Sequence, residues 1–292
     1  MPPKLLYASG SAPEMTIVIP SLDGSRGGNL DRLVADLCSQ SYQSFEIVLS
    51  IGEKPNGHAR NVGIKAACSS SSYFAFFDDD VRLGSTDVLM NLFMVLQDPV
   101  IGLVGVSQLP PEDSSWKQKW IGYDLAKAKF PIQDFIVDTE MATHAGIACR
   151  RNVWEQIGGE SDHLITGTDT DLRERMRASG YRVVVAPRTL VFHPLPSSFL
   201  FVLRSAIHNG RHQLGYRKVH GFQKGFLKPF KNVSNGMGFV IAIVRETLIF
   251  IPHIFVANRK PMIGFRPLNA LSRFLMVITY SVITFKDKSG NS

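Results

Sequence analysis

The sequence predicts an α/β fold: a mostly parallel central sheet with helices on both faces, followed by a C-terminal helical, membrane-associating segment. Three observations carry that expectation. Short apolar runs alternate with stretches of helical periodicity through the first two-thirds of the chain, the pattern of strand–helix–strand units. A run of three aspartates ends one of the apolar runs, at the edge where such sheets bind ligands. The last third then changes character: residues 1–174 hold 14 Lys/Arg against 23 Asp/Glu, whereas residues 175–292 hold 18 Lys/Arg and only two acids, Glu246 and Asp287.

Residues 1–15, MPPKLLYASGSAPEM, lack a long apolar core and read as a short tail, not a signal peptide. Thr16–Pro20 is an apolar run ending at proline, a buried parallel strand. After a Gly-rich turn, Leu30, Leu33, Val34, Leu37 and Cys38 recur at helical spacing, with Asn29 as the cap. Phe45–Leu49 is a second strand, Ala59–Ala67 a helix, and Tyr73–Phe77 a third strand running into Asp78-Asp79-Asp80. Val88–Leu96 is a helix and Ile101–Val106 a strand. Trp116 and Trp120 stand at helical spacing, a packing face in preference to a base-stacking platform. Ile147–Cys149 is a short strand, Asn152–Ile157 a short helix, and Gly158-Gly159 a turn. Asp169–Ala178 is a helix stopped at Gly180, followed by strand Tyr181–Ala186 and an extended Leu190–Phe192. The first domain is expected over residues 1–195 and the helical segment over 196–292.

Composition narrows the function. With 292 residues, 45% of them hydrophobic, the chain has ample material for a buried core and is not disordered. Cys38, Cys68 and Cys149 are odd in number and far apart, so they make neither a disulfide scaffold nor a paired-thiolate zinc site, and they suit a reducing compartment. The basic tail faces an anion, either a phospholipid surface or a nucleic acid. No RNA-binding motif accompanies it, which argues against nucleic acid.

The chemistry-bearing residues fall in three places. Asp78, Asp79 and Asp80 repel one another, and either a divalent cation (Mg²⁺ or Mn²⁺ suit carboxylate oxygens) or plain solvation relieves them. Asp169 and Asp171 open a helix; Asp169 is either its cap or a general base. His193 ends an apolar run, as a structural residue or a metal ligand.

The order of these parts resembles the family 2 glycosyltransferases, which have the GT-A fold. The resemblance runs from Thr16 to Gly215. It rests on Thr16-Ile-Val-Ile-Pro20, Leu30-Asp-Arg-Leu33, Gln40-Ser-Tyr42 before Phe45–Leu49, and His58-Ala-Arg60-Asn61-Val-Gly63. It continues in Phe74–Asp80, Ala145–Asn152, Ile157-Gly-Gly159, Gly167-Thr-Asp169-Thr-Asp171-Leu172 and Arg175…Gly180-Tyr-Arg-Val183, with His193 at the usual distance. The resemblance implies a metal-dependent inverting transfer of a sugar from a nucleotide donor, UDP- or GDP-linked, to a lipid-linked or glycan acceptor. Asp78 and Asp80, with His193, would hold Mn²⁺ or Mg²⁺, and Asp169 would be the catalytic base, its pKa raised by Asp171 and burial. Pro20, Leu22, Asp23, Glu53, Arg60, Asn61 and Asp79 would meet the nucleotide; His144, Ala145, Gly146 and Asp171 would meet donor sugar and acceptor.

Three departures stand out. Where the family reads the base with an aspartate after its second strand, this chain has Ser50-Ile-Gly-Glu53. The usual acid before Asp169 is Thr168, and Ser205-Ala-Ile-His208-Asn209 lacks the Gln-x-x-Arg-Trp motif of processive synthases. The first two motivate an alternative, a non-catalytic GT-A-fold scaffold at the membrane. A sugar nucleotidyltransferase is matched poorly by Gly24-Ser-Arg-Gly-Gly28.

Two apolar stretches, Gly236–Ala257 and Leu268–Phe285, are about long enough to span a bilayer but contain Arg245, Glu246 and Arg273. If both crossed, the basic loop 258–267 would lie on the far side, against the positive-inside tendency. In-plane or re-entrant helices on the cytoplasmic face are therefore favoured over two spans, with a packed helical subdomain as the other arrangement.

Overall fold

A computed structural model describes residues 2–125, 132–140, 142–220, 236–255 and 264–289, and they divide into two compact units. The first comprises Met1–Glu112 and Lys129–Pro194, the second Asp113–Ala128 and Leu195–Ser292.

Among its described residues the first unit has nine strands: β1 (Lys4–Ala8), β2 (Met15–Ser21), β3 (Phe45–Ile51), β4 (Tyr73–Phe76), β5 (Arg82–Leu83), β6 (Ile101–Leu109), β7 (Val137–Asp138), β8 (Ile147–Arg150) and β9 (Arg182–Phe192). They order as β1-β3-β2-β4-β8-β6-β9-β5, with β7 against β9. The sheet is mixed, and this corrects the mostly parallel expectation. The pairs β2/β3, β2/β4 and β6/β9 are parallel; β1/β3, β4/β8, β6/β8, β5/β9 and β7/β9 are antiparallel. An apolar run shows that a strand is buried but not which way it points, so β8, which opposes both its neighbours, could not be oriented from the pattern. The N-terminal stretch expected to be a tail is the edge strand β1, with Lys4 opposite Leu49.

Side chains alternate across the sheet. Ile17, Ile19, Ile47 and Leu49 face one way, against Leu30, Leu33 and Leu37 of α1 (Asn29–Cys38) and Val88, Leu89 and Leu92 of α3 (Val88–Val95). Val18, Val48, Phe74 and Phe76 face the other way, against Val153 and Trp154 of α5 (Arg151–Gln156) and Leu172 and Met176 of α6 (Thr168–Ala178). Full burial of each such side chain stabilises by about 1.5–3 kcal/mol. Helices thus cover both faces, as expected. Helix α2 (Asn56–Lys65) comes close to β2 because Gly63 lacks a side chain: a Cβ there would lie 2.4 Å from Val18 Cγ1. Asn29 is not a cap. Its side-chain amide donates to the carbonyls of Asp79 (2.9 Å) and Val81 (3.1 Å), tying the start of α1 to the acidic turn.

The second unit contains α4 (Trp116–Asp124), α7 (Phe199–His220), α8 (Gly236–His253) and α9 (Pro267–Ser289). Proline suits the first position of α9, and the buried Asp124 carboxylate accepts the Asn269 backbone N–H there (2.5 Å). Buried Arg266 donates to the Tyr123 and Asp124 carbonyls and lies over the Tyr123 ring. Ile121, Val202 and Leu268 share a small core. Trp120 meets Phe199 edge-on at 5.5 Å, but Trp116 is 79% exposed, so the expected two-tryptophan packing face reduces to one. Along α8, Met237, Val240, Ile241, Val244, Leu248 and Ile251 are exposed, while Ala242 and Glu246 are buried and Glu246 pairs with Arg273 of α9. Lys224, Lys228, Lys231, the phenylalanines 222, 226 and 230, and most of the basic loop 258–267 lie outside the described residues.

Candidate active site

Strands β2 and β4 run parallel, so their carboxyl ends open at the same edge. After β2 comes the loop Leu22–Gly28; after β4 come Phe77 and the three aspartates. Because β8 runs against β4, with Ile147 opposite Phe76, the residues just before β8 arrive beside the aspartates. The Asp78 N–H donates to the His144 carbonyl (3.0 Å).

His144 also reaches the next element. Its backbone N–H donates to Asp169 Oδ1 (3.0 Å), and its Nδ1 meets the same oxygen. Gly167, in the left-handed region (φ 80°), turns the chain into α6 and sets Asp169 in the first helical turn. The other imidazole nitrogen, Nε2, bonds the fully buried carboxylate of Glu160. His144 is thus flanked by two acids. Burial and the Arg60 charge oppose its protonation, but Glu160 and Asp169 outweigh them and push its pKa up to about 9. Burial raises the Asp169 pKa, but His144 and Arg60 outweigh it and hold this carboxyl well below the ordinary carboxylate range. The expected upward shift of Asp169 is therefore reversed. Asp171 cannot supply it, because that carboxylate is buried and bound by Arg175 (3.0 and 2.6 Å), four residues on. Arg175 in turn donates to the carbonyls of Ile157 and Gly159, so Asp171 braces the loop that carries Glu160.

The aspartates have cationic neighbours. Arg60, 2% exposed, donates from Nη2 to Asp78 Oδ1 (2.9 Å), and its Nε and Nη1 have no hydrogen-bond partner among the described residues. Arg26 donates to Asp80 Oδ2 (2.9 Å), with its Nε 3.5 Å from Asp79 Oδ1. Burial raises the pKa of Asp79, against the lowering effects of Ser21 and Arg26. His193 lies 3.8 Å from Asp80 Oδ1, because Arg82 pairs with Phe192 and so brings the two chain ends together.

The remaining expected residues divide. Pro20 is buried in β2 opposite Ser50; Leu22 is exposed beside Gly52, and the Asp23 carboxylate accepts the N–H groups of Ser25 and Arg26, shaping the loop. Glu53 is 3.7 Å from His58. The Asn61 amide is committed to Glu160 and Asp162. Ala145 lies in the core, and a Cβ on Gly146 would come 2.7 Å from Val106, so of that trio only His144 presents chemistry. Sequence reasoning missed Arg26 and Glu160. The positional cues were their glycines: Gly27-Gly28 after Arg26 and Gly158-Gly159 before Glu160.

No protein-family model matches the sequence. The chain is 26% identical over 189 residues to the O-antigen chain rhamnosyltransferase RfbN of Salmonella typhimurium, covering 62% of this chain and 57% of the relative. It is 27% identical over 225 residues to the pre-mycofactocin glycosyltransferase of Mycobacterium tuberculosis, covering 68% and 46%. The chain spans about half the length of the curated relatives it matches. In fold it is similar to the mannosyltransferase PcManGT from Pyrobaculum calidifontis, solved with GDP-Man and Mn²⁺: TM-score 0.54 at 14% identity, covering 96% of this chain and 89% of that one. Sequence and fold together relate the chain to glycosyltransferases of the broad GT-A-like superfamily.

Proposed function

We propose that this relative of the GT-A glycosyltransferases is a membrane-associated, metal-dependent inverting glycosyltransferase of the family 2 type. It moves a sugar from a UDP- or GDP-linked donor to a lipid-linked or glycan acceptor, with residues 1–195 as the catalytic domain. One observation carries the reading: a single residue, His144, bonds the Asp78 N–H through its carbonyl and Asp169 through its N–H and ring. The acidic turn and the proposed base are therefore one residue's span apart.

The residues fit a divalent cation. Asp80 Oδ1 is buried without a hydrogen-bond partner among the described residues, and carboxylate oxygens are the hard donors Mg²⁺ and Mn²⁺ take. Among those residues, no group of three or more His, Cys, Asp or Glu side chains is placed to hold a metal ion, so His193 does not join Asp78 and Asp80 as the expected third ligand. One or two carboxylates plus substrate phosphates is the usual way such a cation is held beside a nucleotide. Asp78 and Asp80 would hold it, with substrate phosphates supplying further oxygens; when bound, it supplies charge neutralisation for the departing diphosphate. Arg60, with two unspent buried N–H-bearing nitrogens, suits an anionic phosphate beside Asp78.

The chain's own residues then manage the proton. The acceptor oxygen forms a bond to the anomeric carbon from the face opposite the leaving diphosphate, whose bond breaks, and Asp169 takes the acceptor's proton. A carboxylate held ionised by His144 is always ready to accept, though weak as a base. It serves best when the acceptor oxygen has become acidic through bonding to carbon.

The second unit supports the membrane part. Residues Pro267–Asp287 of α9 form, among the described residues, the one helix long and apolar enough to cross a membrane. The exposed apolar stripe of α8 suits a helix lying in the lipid surface. The basic, carboxylate-poor stretch from Arg175 to Arg245 suits anionic cytoplasmic lipid. The test is release of UDP or GDP from nucleotide sugars in Mn²⁺ by the full chain in detergent. Turnover lost in Asp80→Ala with the fold intact supports the reading; no release from any UDP- or GDP-sugar favours the scaffold.

A further inference from the structure

Arg26 sits in an unusual backbone. It is a non-glycine residue at φ 50°, between a tight Asp23 turn and two left-handed glycines, Gly27 and Gly28. Such conformations are uncommon for residues with a side chain and persist where the surroundings hold them. Here the loop is anchored on both sides: Asp23 accepts the Arg26 N–H (2.8 Å), and Asn29 is bonded to the carbonyls of Asp79 and Val81. Between these anchors the half-exposed guanidinium turns onto Asp80 (2.9 Å) and Asp79 (3.5 Å). It places one positive charge on the carboxylates of the acidic turn, on the Asp80 side, while Arg60 does the same for Asp78.

We propose that Arg26 is a displaceable counter-cation. It neutralises Asp79 and Asp80 while the site is empty, gives way to the divalent cation, and then binds the diphosphate of the incoming nucleotide. The inference rests on the reading of Asp78 and Asp80 as metal ligands. The geometry separates the two arginines: Arg60 is locked in the core at 2% exposure, whereas Arg26 is 52% exposed on a glycine-flanked loop and is free to swing. A guanidinium released from carboxylates next to a metal-bound diphosphate finds the anion it binds best.

The test measures Mn²⁺ binding to the full chain in detergent, without nucleotide, by electron paramagnetic resonance, and then UDP and GDP binding at saturating Mn²⁺ by calorimetry. Arg26→Ala should bind Mn²⁺ about three- to fivefold more tightly, the worth of a half-exposed ion pair removed from competition. The same variant should bind the nucleoside diphosphate it prefers at least about tenfold more weakly, through loss of a charge-assisted bond. Arg26→Lys keeps the charge but not the fork, so it should hold Mn²⁺ affinity near wild type while weakening nucleotide binding less than alanine does. Arg26→Gln, of similar length and uncharged, replaces the alanine variant if that one folds poorly. A merely structural Arg26 would move both affinities down together, and that result overturns the proposal. So does a gain in Mn²⁺ affinity with unchanged nucleotide binding. Mn²⁺ binding that Asp80→Ala abolishes but Arg26→Ala leaves alone overturns the role of Arg26 and spares the metal site. Absence of Mn²⁺ binding in the wild type, both without nucleotide and with UDP or GDP present, overturns both.

Discussion

The backbone N–H of His144 and its Nδ1 both point to one oxygen of Asp169, so the carboxylate is held from the main chain and the ring at once. Glu160 fixes the far side of the same imidazole. A carboxylate on the first turn of a helix thereby has its orientation set by a residue 25 positions away, and that residue is itself oriented by a buried acid. The arrangement makes separable predictions.

Asp169→Asn keeps the shape of the carboxylate but not its basicity. Donor binding should be unchanged while turnover falls by about 10²–10⁴-fold, the usual worth of a general base. Calorimetry with the donor and a steady-state transfer assay check this; near-normal transfer would make Asp169 a helix-start residue and nothing more.

Glu160→Ala strips the buried imidazole of its inner partner. Loss of one member of a buried charged pair costs about 3–5 kcal/mol, so urea unfolding should shift strongly, and less for Glu160→Gln, which retains an acceptor. If Glu160→Ala unfolds like the wild type, the pair contributes nothing to the fold.

His144 gives a pH signature. Its pKa is raised in the folded state, to about 9 from 6.5, so its stabilisation is complete below about pH 6.5 and is lost as pH rises through about 9. Asp169 has the opposite sign: its pKa is depressed, and its contribution is lost only in acid. The melting-temperature advantage of wild type over His144→Gln should therefore shrink between about pH 7 and 10. A difference constant across that range would contradict the ion-paired imidazole.

The second unit is best tested intact. Cutting before α9 would remove Asn269 from Asp124 and Leu268 from Ile121, leaving a buried carboxylate and an apolar face open on α4. The full chain should stay with membranes in high salt and leave in detergent, since buried apolar surface is not screened by ions. Release by salt alone would leave only the basic residues holding it.

Much of the first unit was legible in the residues. Apolar runs at strand length and 3.6-residue spacing located β2, β3, β4, β6, β9 and most of the helices between them, because burial imposes those periods locally. The aspartates at the end of β4 and the Asp169 helix start were visible for the same reason: each is a chain-local pattern. Strand direction was not, since period-2 burial is identical for a strand and its reverse. Nor were the partners of the charged residues. That Asn61 and Asp171 brace loops, that His144 joins the acidic turn to Asp169, and that Arg26 lies on Asp79 and Asp80 rest on contacts between residues 16 to 101 positions apart. The pKa of Asp169 shows the physics most plainly. From its neighbours in sequence, Asp171 and a burying helix, a raised value was expected. The fold places His144 and Arg60 beside it, and a carboxylate answers to the charges around it in space rather than to those beside it in the chain.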